Sequence, residues 1–157
     1  MKLEDVVDCL AKRAKSREVC LDAHGCCHFC VNENLDLWLE STLRPDEFML
    51  YAPVCDVPQQ READLLRTAM EANLFQKDTG KGVLGFSPDE RVILLSQRFY
   101  EPTLDEAAFF DELRSFVTYL KYWMQRLEDS SFAFSQVSDL SRHLRGLKSE
   151  AINVYLG

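Results

Sequence analysis

The chain has 157 residues, of which 46% are hydrophobic and 11% aromatic, enough for one globular domain with a substantial core. Acidic residues outnumber basic ones by 26 to 18, and the formal net charge of −8 opposes binding to nucleic acid or to an anionic membrane surface. No segment approaches the roughly 20 consecutive apolar residues of a membrane-spanning helix, and the N-terminus lacks a long apolar stretch, so we expect a cytosolic protein without membrane insertion.

The N-terminal segment predicts an amphipathic helix. Leu3, Val6, Val7 and Leu10 recur at helical spacing. A basic run over residues 12–15 follows them, and cations near a helix C-terminus suit the helix dipole.

Four segments with partial alternation of apolar and polar residues predict a meander of strands. These segments are Val19–Ala23, Cys26–Asn32, Leu35–Ser41 and Phe48–Cys55. In the third segment Leu37 and Leu39 share one face, whereas Trp38 falls on the face that should be polar. A tryptophan there needs a covering, which is either another part of the chain or a partner protein.

Cysteine and histidine are concentrated in an eleven-residue segment. Its members are Cys20, His24, Cys26, Cys27, His28 and Cys30. Such a cluster permits a zinc site, with Cys27 and Cys30 as one ligand pair. In a strand, however, Cys26 and Cys30 point away from Cys27, and reduced cysteines pack well as small apolar residues. Core packing is the favoured interpretation, and a zinc-binding or thiol-dependent module is the alternative.

The central segment predicts a helix with two apolar faces. Asp56 is a candidate N-cap, Pro58 fits the first turn, and Asn73 marks the end. Because Leu65 and Leu66 are adjacent, the apolar surface is wider than one core contact requires, so we expect a second partner for this helix. Glycine-rich residues 80–85 then lead to a strand pair, with residues 91–96 forming a buried strand.

The last third of the chain predicts a long helix and a separate tail. Thr103 to Glu106 has the pattern of a capping box, and apolar residues continue at helical spacing to Leu127. Residues 129–131 break this helix. The tail that follows predicts an amphipathic helix and then an extended end over Ile152–Leu156. It either docks permanently on the core, frays in solvent, or lies across a binding groove of its own or a partner chain, from which a ligand must displace it.

Catalytic patterns are poorly represented. Gly80-Lys81-Gly82 lacks the spacing of a phosphate-binding loop, and Gly85-Phe86-Ser87 lacks the closing glycine of a nucleophile elbow. We therefore predict no enzymatic activity and no cofactor.

Three segments stand out for their order along the chain: LLRTAMEANLF, GVLGFSPDERVILLSQRF and PTLDEAAFFDELRSFVTYLKYWMQRL. In sequence and order they resemble the class I type III secretion chaperones of the Tir-chaperone (CesT-type) family, and this resemblance covers roughly Leu3 to Leu127. It implies a bacterial cytoplasmic homodimer that binds the N-terminal segment of a secreted effector without nucleotide. Such a protein presents its client to the type III secretion ATPase. A dimeric adaptor that bridges two proteins is a further alternative.

The predicted fold is α+β, with a twisted antiparallel sheet and three main helices in the order α-β-β-β-β-α-β-β-α, followed by a tail helix. We predict a chaperone domain over residues 1–128 and a C-terminal extension over 129–157. The resemblance places effector-binding residues on the first helix and the sheet: Leu3, Val6, Val7, Leu10, Phe29, Leu37, Trp38 and Leu39. The dimer interface is predicted on the central helix and the following strand: Leu65, Leu66, Ala69, Met70, Leu74, Val83 and Leu84.

Overall fold

The computed structural model describes residues 1–15, 19–32, 34–76, 78–128 and 153–154. Within these residues the chain forms three α-helices and six β-strands. The helices are α1 (Leu3–Ala14), α2 (Glu62–Asn73) and α3 (Glu106–Glu128). The strands are β1 (Cys26–Val31), β2 (Leu35–Ser41), β3 (Glu47–Asp56), β4 (Val83–Ser87), β5 (Val92–Tyr100) and β6 (Asn153–Val154).

The strands are hydrogen-bonded in the order β4-β5-β3-β2-β1-β6. β1 pairs with β2, β2 with β3, and β4 with β5, all antiparallel. The short strand β6 is parallel to β1. The predicted α+β class, with three main helices and an antiparallel sheet, is confirmed.

The described residues divide into two compact units. The first contains residues 1–15, 19–32, 34–52, 97–114 and 153–154, and the second contains 53–76, 78–96 and 115–128. Each unit contains one part of β3, one part of β5 and one part of α3.

In the first unit, α1 forms as predicted and buries its apolar stripe. The Leu3 N–H donates to the Glu101 carboxylate at 3.0 Å, which satisfies one of the unpaired donors of the first turn. The helix ends at Ala14 because Lys15 adopts a left-handed conformation with φ of 52°.

Aromatic side chains fill much of the core of the first unit. Phe48 on β3 stacks on Phe99 of β5 with ring centroids 5.1 Å apart, and Phe109 of α3 lies 5.4 Å from Phe99. The Arg13 guanidinium lies 3.6 Å above the ring of Phe110. This cation–π contact connects the end of α1 to α3.

In the second unit, the Asn73 side chain links α2 to β4. The Asn73 amide donates to the Leu84 carbonyl oxygen at 2.8 Å, and its oxygen accepts from the Leu84 N–H at 2.9 Å. Asn73 thus ends the helix, as predicted, and also satisfies both backbone groups of a strand residue. On α3, the Trp123 indole donates to the Asp78 carbonyl oxygen at 2.8 Å.

Two sequence-based boundaries are corrected. The predicted strand over Val19–Ala23 is not formed, because the Asp22 carboxylate accepts the N–H groups of His24 and Cys26 and closes a turn there. Three strands, not four, therefore precede α2. The predicted N-cap Asp56 instead ends β3, and a 3₁₀ turn separates it from the first residue of α2, Glu62.

The predicted tail helix lies outside the described residues. Of the predicted extended end, Asn153 and Val154 are described, and they form β6.

Candidate functional site

Helix α2 has one buried and one exposed apolar face. Leu65, Ala69 and Ala72 are buried, whereas Leu66 is half-buried and Met70 is 74% exposed. Two faces are what the sequence predicts for this helix, since its leucines occupy adjacent positions.

The exposed face continues beyond the helix. Leu74 is 59% exposed, Phe75 is 92% exposed, and Val83 on the neighbouring strand β4 is 46% exposed. With Leu66 and Met70 these residues form what we call the α2–β4 apolar face. The α2 side of this face includes a shallow groove between Leu66, Met70 and Leu74. Several large apolar side chains exposed on neighbouring elements are typical of a protein interface.

The predicted dimer residues divide between the two sides of α2 and β4. Leu65, Ala69 and Leu84 are buried within the chain. Leu66, Met70, Leu74 and Val83 belong to the α2–β4 apolar face. Sequence analysis missed Phe75, although an apolar pair at a helix end, Leu74-Phe75, is a signal that could have identified it. The role of these residues in dimerisation stays a prediction.

The predicted effector-binding residues are all buried within the chain. They are Leu3, Val6, Val7, Leu10, Phe29, Leu37, Trp38 and Leu39. All eight side chains are buried within the described chain, and their contact with a client stays a prediction.

The Trp38 side chain is covered by other residues of the same chain. Its ring stacks between His28 of β1 and Tyr51 of β3, with ring centroids 4.6 and 5.9 Å away. His28 is in turn hydrogen-bonded through Nε2 to the Asp36 carboxylate at 2.8 Å. Burial raises the pKa of the Tyr51 hydroxyl, with Cys26 and Glu40 adding to the effect. This face of the sheet is therefore an ordered polar–aromatic ladder across three strands.

The cysteine-rich segment is spread over different environments. Cys20 is exposed, Cys27 and Cys30 are buried, and the side chains of β1 alternate between the two sheet faces as predicted. In the part of the chain that the structure describes, no three histidine, cysteine or acidic side chains are grouped so that they could hold a metal ion. On β3, burial raises the pKa of the Cys55 thiol to about 12, and the neighbouring Asp56 carboxylate contributes.

Among the described helices, none is both long and apolar enough to cross a bilayer.

The chain is therefore a small α+β module with exposed apolar side chains on α2 and β4. The family model for the Tir chaperone protein (CesT) family matches residues 6–124. The chain belongs to this family, which confirms the resemblance found in the sequence. No curated protein sequence matches the chain.

Chains of several solved protein complexes have the same fold. A chain of the ExsC–ExsE complex has a TM-score of 0.65 and 16% identity, with 80% of this chain and 96% of that one covered. A chain of the HopA1–SchA chaperone–effector complex has a TM-score of 0.61 and 15% identity, with 77% and 91% covered. A chain of the ExoT–SpcS complex from Pseudomonas aeruginosa has a TM-score of 0.56 and 20% identity, with 78% and 98% covered.

Proposed function

We propose that this chain is a type III secretion chaperone. It binds the N-terminal segment of one or more secreted effectors, keeps that segment extended, and presents it to the type III secretion ATPase. The family match over residues 6–124 carries this proposal. The similarity to a chain from the HopA1–SchA chaperone–effector complex supports it.

The client binds by strand addition and by apolar contacts. An edge strand offers unpaired backbone groups, so an extended client can bind with little dependence on its side chains. α1, β1 and β2 carry the predicted client residues, and we retain these three elements as the client-binding side of the chain. The buried side chains of Phe29, Leu37 and Leu39 shape that side from beneath.

The α2–β4 apolar face serves a different partner, which is a second copy of the chain. Its large exposed side chains, Met70, Leu74 and Phe75 in particular, are costly to leave in water and become buried in a homodimer. The groove between Leu66, Met70 and Leu74 accommodates side chains of the second copy.

We further propose that residues 1–128 form the chaperone domain and 129–157 an extension. The protein acts in the bacterial cytoplasm without catalysis, nucleotide or cofactor, as expected of a chaperone family.

Co-expression tests this function against the adaptor alternative. The chain is produced with the N-terminal fragment of each candidate effector, where that fragment alone is insoluble or disordered. A chaperone makes the fragment soluble and keeps it extended, so its amide protons outside the contact region still exchange rapidly. An adaptor instead binds only folded partners and leaves the fragment insoluble, which would overturn the proposal.

A further inference from the structure

The edge of β1 is occupied by the chain itself. Cys30 lies opposite Asn153 and Val31 opposite Val154, in a parallel pair. The Asn32 N–H donates to the Val154 carbonyl oxygen at 3.4 Å. The Val154 side chain is completely buried, and β6 also contacts α1.

This edge can hold one strand at a time. β2 pairs with β1 along all six of its residues, from Cys26 to Val31, so β6 takes the opposite row of backbone groups. Each backbone N–H and C=O forms its ladder hydrogen bonds with one neighbour on that side. A second extended peptide therefore reaches the Cys30–Val31 end of the edge only after β6 has left.

We propose that β6 is an internal competitor for the client: it occupies the strand-addition site on β1 and is displaced when an extended segment of the client binds. This inference rests on the proposed function for the identity of the competing ligand. Within the described residues the competitor pairs with β1 over two residues, where a typical strand has about five or six. Such a strand holds the edge closed without excluding a longer client.

The buried valine gives the competitor its specificity. The Val154 side chain on β6 is completely buried, β-branched and apolar. A client strand that replaces β6 is therefore expected to place an apolar side chain in the same position against α1 and β1.

A variant of the full chain tests the occupancy directly. In Val154→Asp a carboxylate replaces a fully buried side chain, so β6 should leave the edge. Val154→Ile keeps an apolar β-branched side chain and is the matched control. The probe is a fluorescent peptide with the sequence of residues 149–157, SEAINVYLG.

We expect the peptide to bind Val154→Asp at least about tenfold more tightly than wild type, as for a site that is open in roughly a tenth of wild-type molecules. The Asn32 amide should also exchange faster in Val154→Asp, and addition of the peptide should slow it again. If the peptide binds wild type, Val154→Ile and Val154→Asp with equal affinity, β6 does not block the edge of β1, and the proposal is refuted. If Val154→Asp does not fold, the milder Val154→Ala replaces it in both measurements.

A soluble effector fragment then tests the competition separately. Tighter binding to Val154→Asp than to wild type supports it. If the fragment binds wild type and Val154→Asp equally while the peptide still prefers Val154→Asp, the client does not compete with β6. The proposed function would be unaffected by that result. Binding to neither protein would refute the proposed function, whatever the peptide does.

Discussion

At the residue scale, thiol reactivity reports the environments of the cysteines. Cys20 is exposed, whereas Cys55 is buried with a pKa raised to about 12. Because the thiolate is the reactive form and Cys55 keeps its proton at pH 8, very few Cys55 side chains are reactive in the native protein. We expect iodoacetamide to label Cys20 first and Cys55 only after unfolding, as followed by mass spectrometry of peptides. Comparable labelling rates in the native protein would contradict the structure, and labelling that accelerates with a chelator would favour the zinc alternative.

Trp38 is either a core residue, whose replacement lowers stability, or a client contact, whose replacement weakens effector binding. As a buried residue stacked on His28 and Tyr51, it should contribute to stability, and Trp38→Ala should lower the free energy of unfolding by about 3–5 kcal/mol. Urea denaturation measures this loss, with Tyr100→Ala, at an exposed aromatic residue, as the control. A Trp38→Ala protein of normal stability that no longer binds effector would show that Trp38 is a client contact and not a core residue.

At the element scale, Asn73 tests how α2 holds β4. Asn73→Ala removes both hydrogen bonds to Leu84 and leaves the backbone groups of a buried residue unsatisfied. We expect a loss of about 1–3 kcal/mol in urea denaturation. Glu71→Ala, at an exposed position of the same helix, should change stability by less than about 0.5 kcal/mol. Equal effects of the two substitutions would mean that Asn73 does not anchor β4.

The elements were predictable where local signals agreed with packing. The stripe from Leu3 to Leu10 identified α1, and Asn73 marked the end of α2, because periodicity and capping are both local properties. The Val19–Ala23 segment alternates like a strand. However, the Asp22 carboxylate accepts hydrogen bonds from the backbone of the following turn, and these local bonds favour a turn over a strand in this segment.

The candidate sites were less predictable, because they depend on contacts between distant segments. The leucines of α2 indicated two faces, but only packing decides that Leu65 is buried and Met70 exposed. Period-2 alternation marked Leu37 and Leu39 as sharing a face without showing whether that face is covered. Similarly, the extended end of the chain was predicted, but its pairing with β1 joins residues more than 120 positions apart, and no local pattern encodes that partner.

At the scale of the whole molecule, the α2–β4 apolar face predicts self-association. Met70→Asp and Leu66→Asp each place a charge in the proposed interface, where an unpaired buried carboxylate costs several kcal/mol. We expect sedimentation to show a dimer for wild type, and monomers or aggregates for both variants. Leu43→Asp makes the same change at a fully exposed leucine outside this face and should remain dimeric. If the sedimentation profiles of Met70→Asp and Leu66→Asp match that of wild type, the dimer interface does not lie on the α2–β4 apolar face.

Native mass spectrometry of the chain with an effector's N-terminal fragment tests the central claim most directly. It reports client binding and self-association in one spectrum. A type III secretion chaperone that dimerises through its α2–β4 apolar face should appear as two copies of the chain with bound fragment, without nucleotide or metal in the measured mass. A spectrum in which the chain stays free of every candidate fragment would contradict the account.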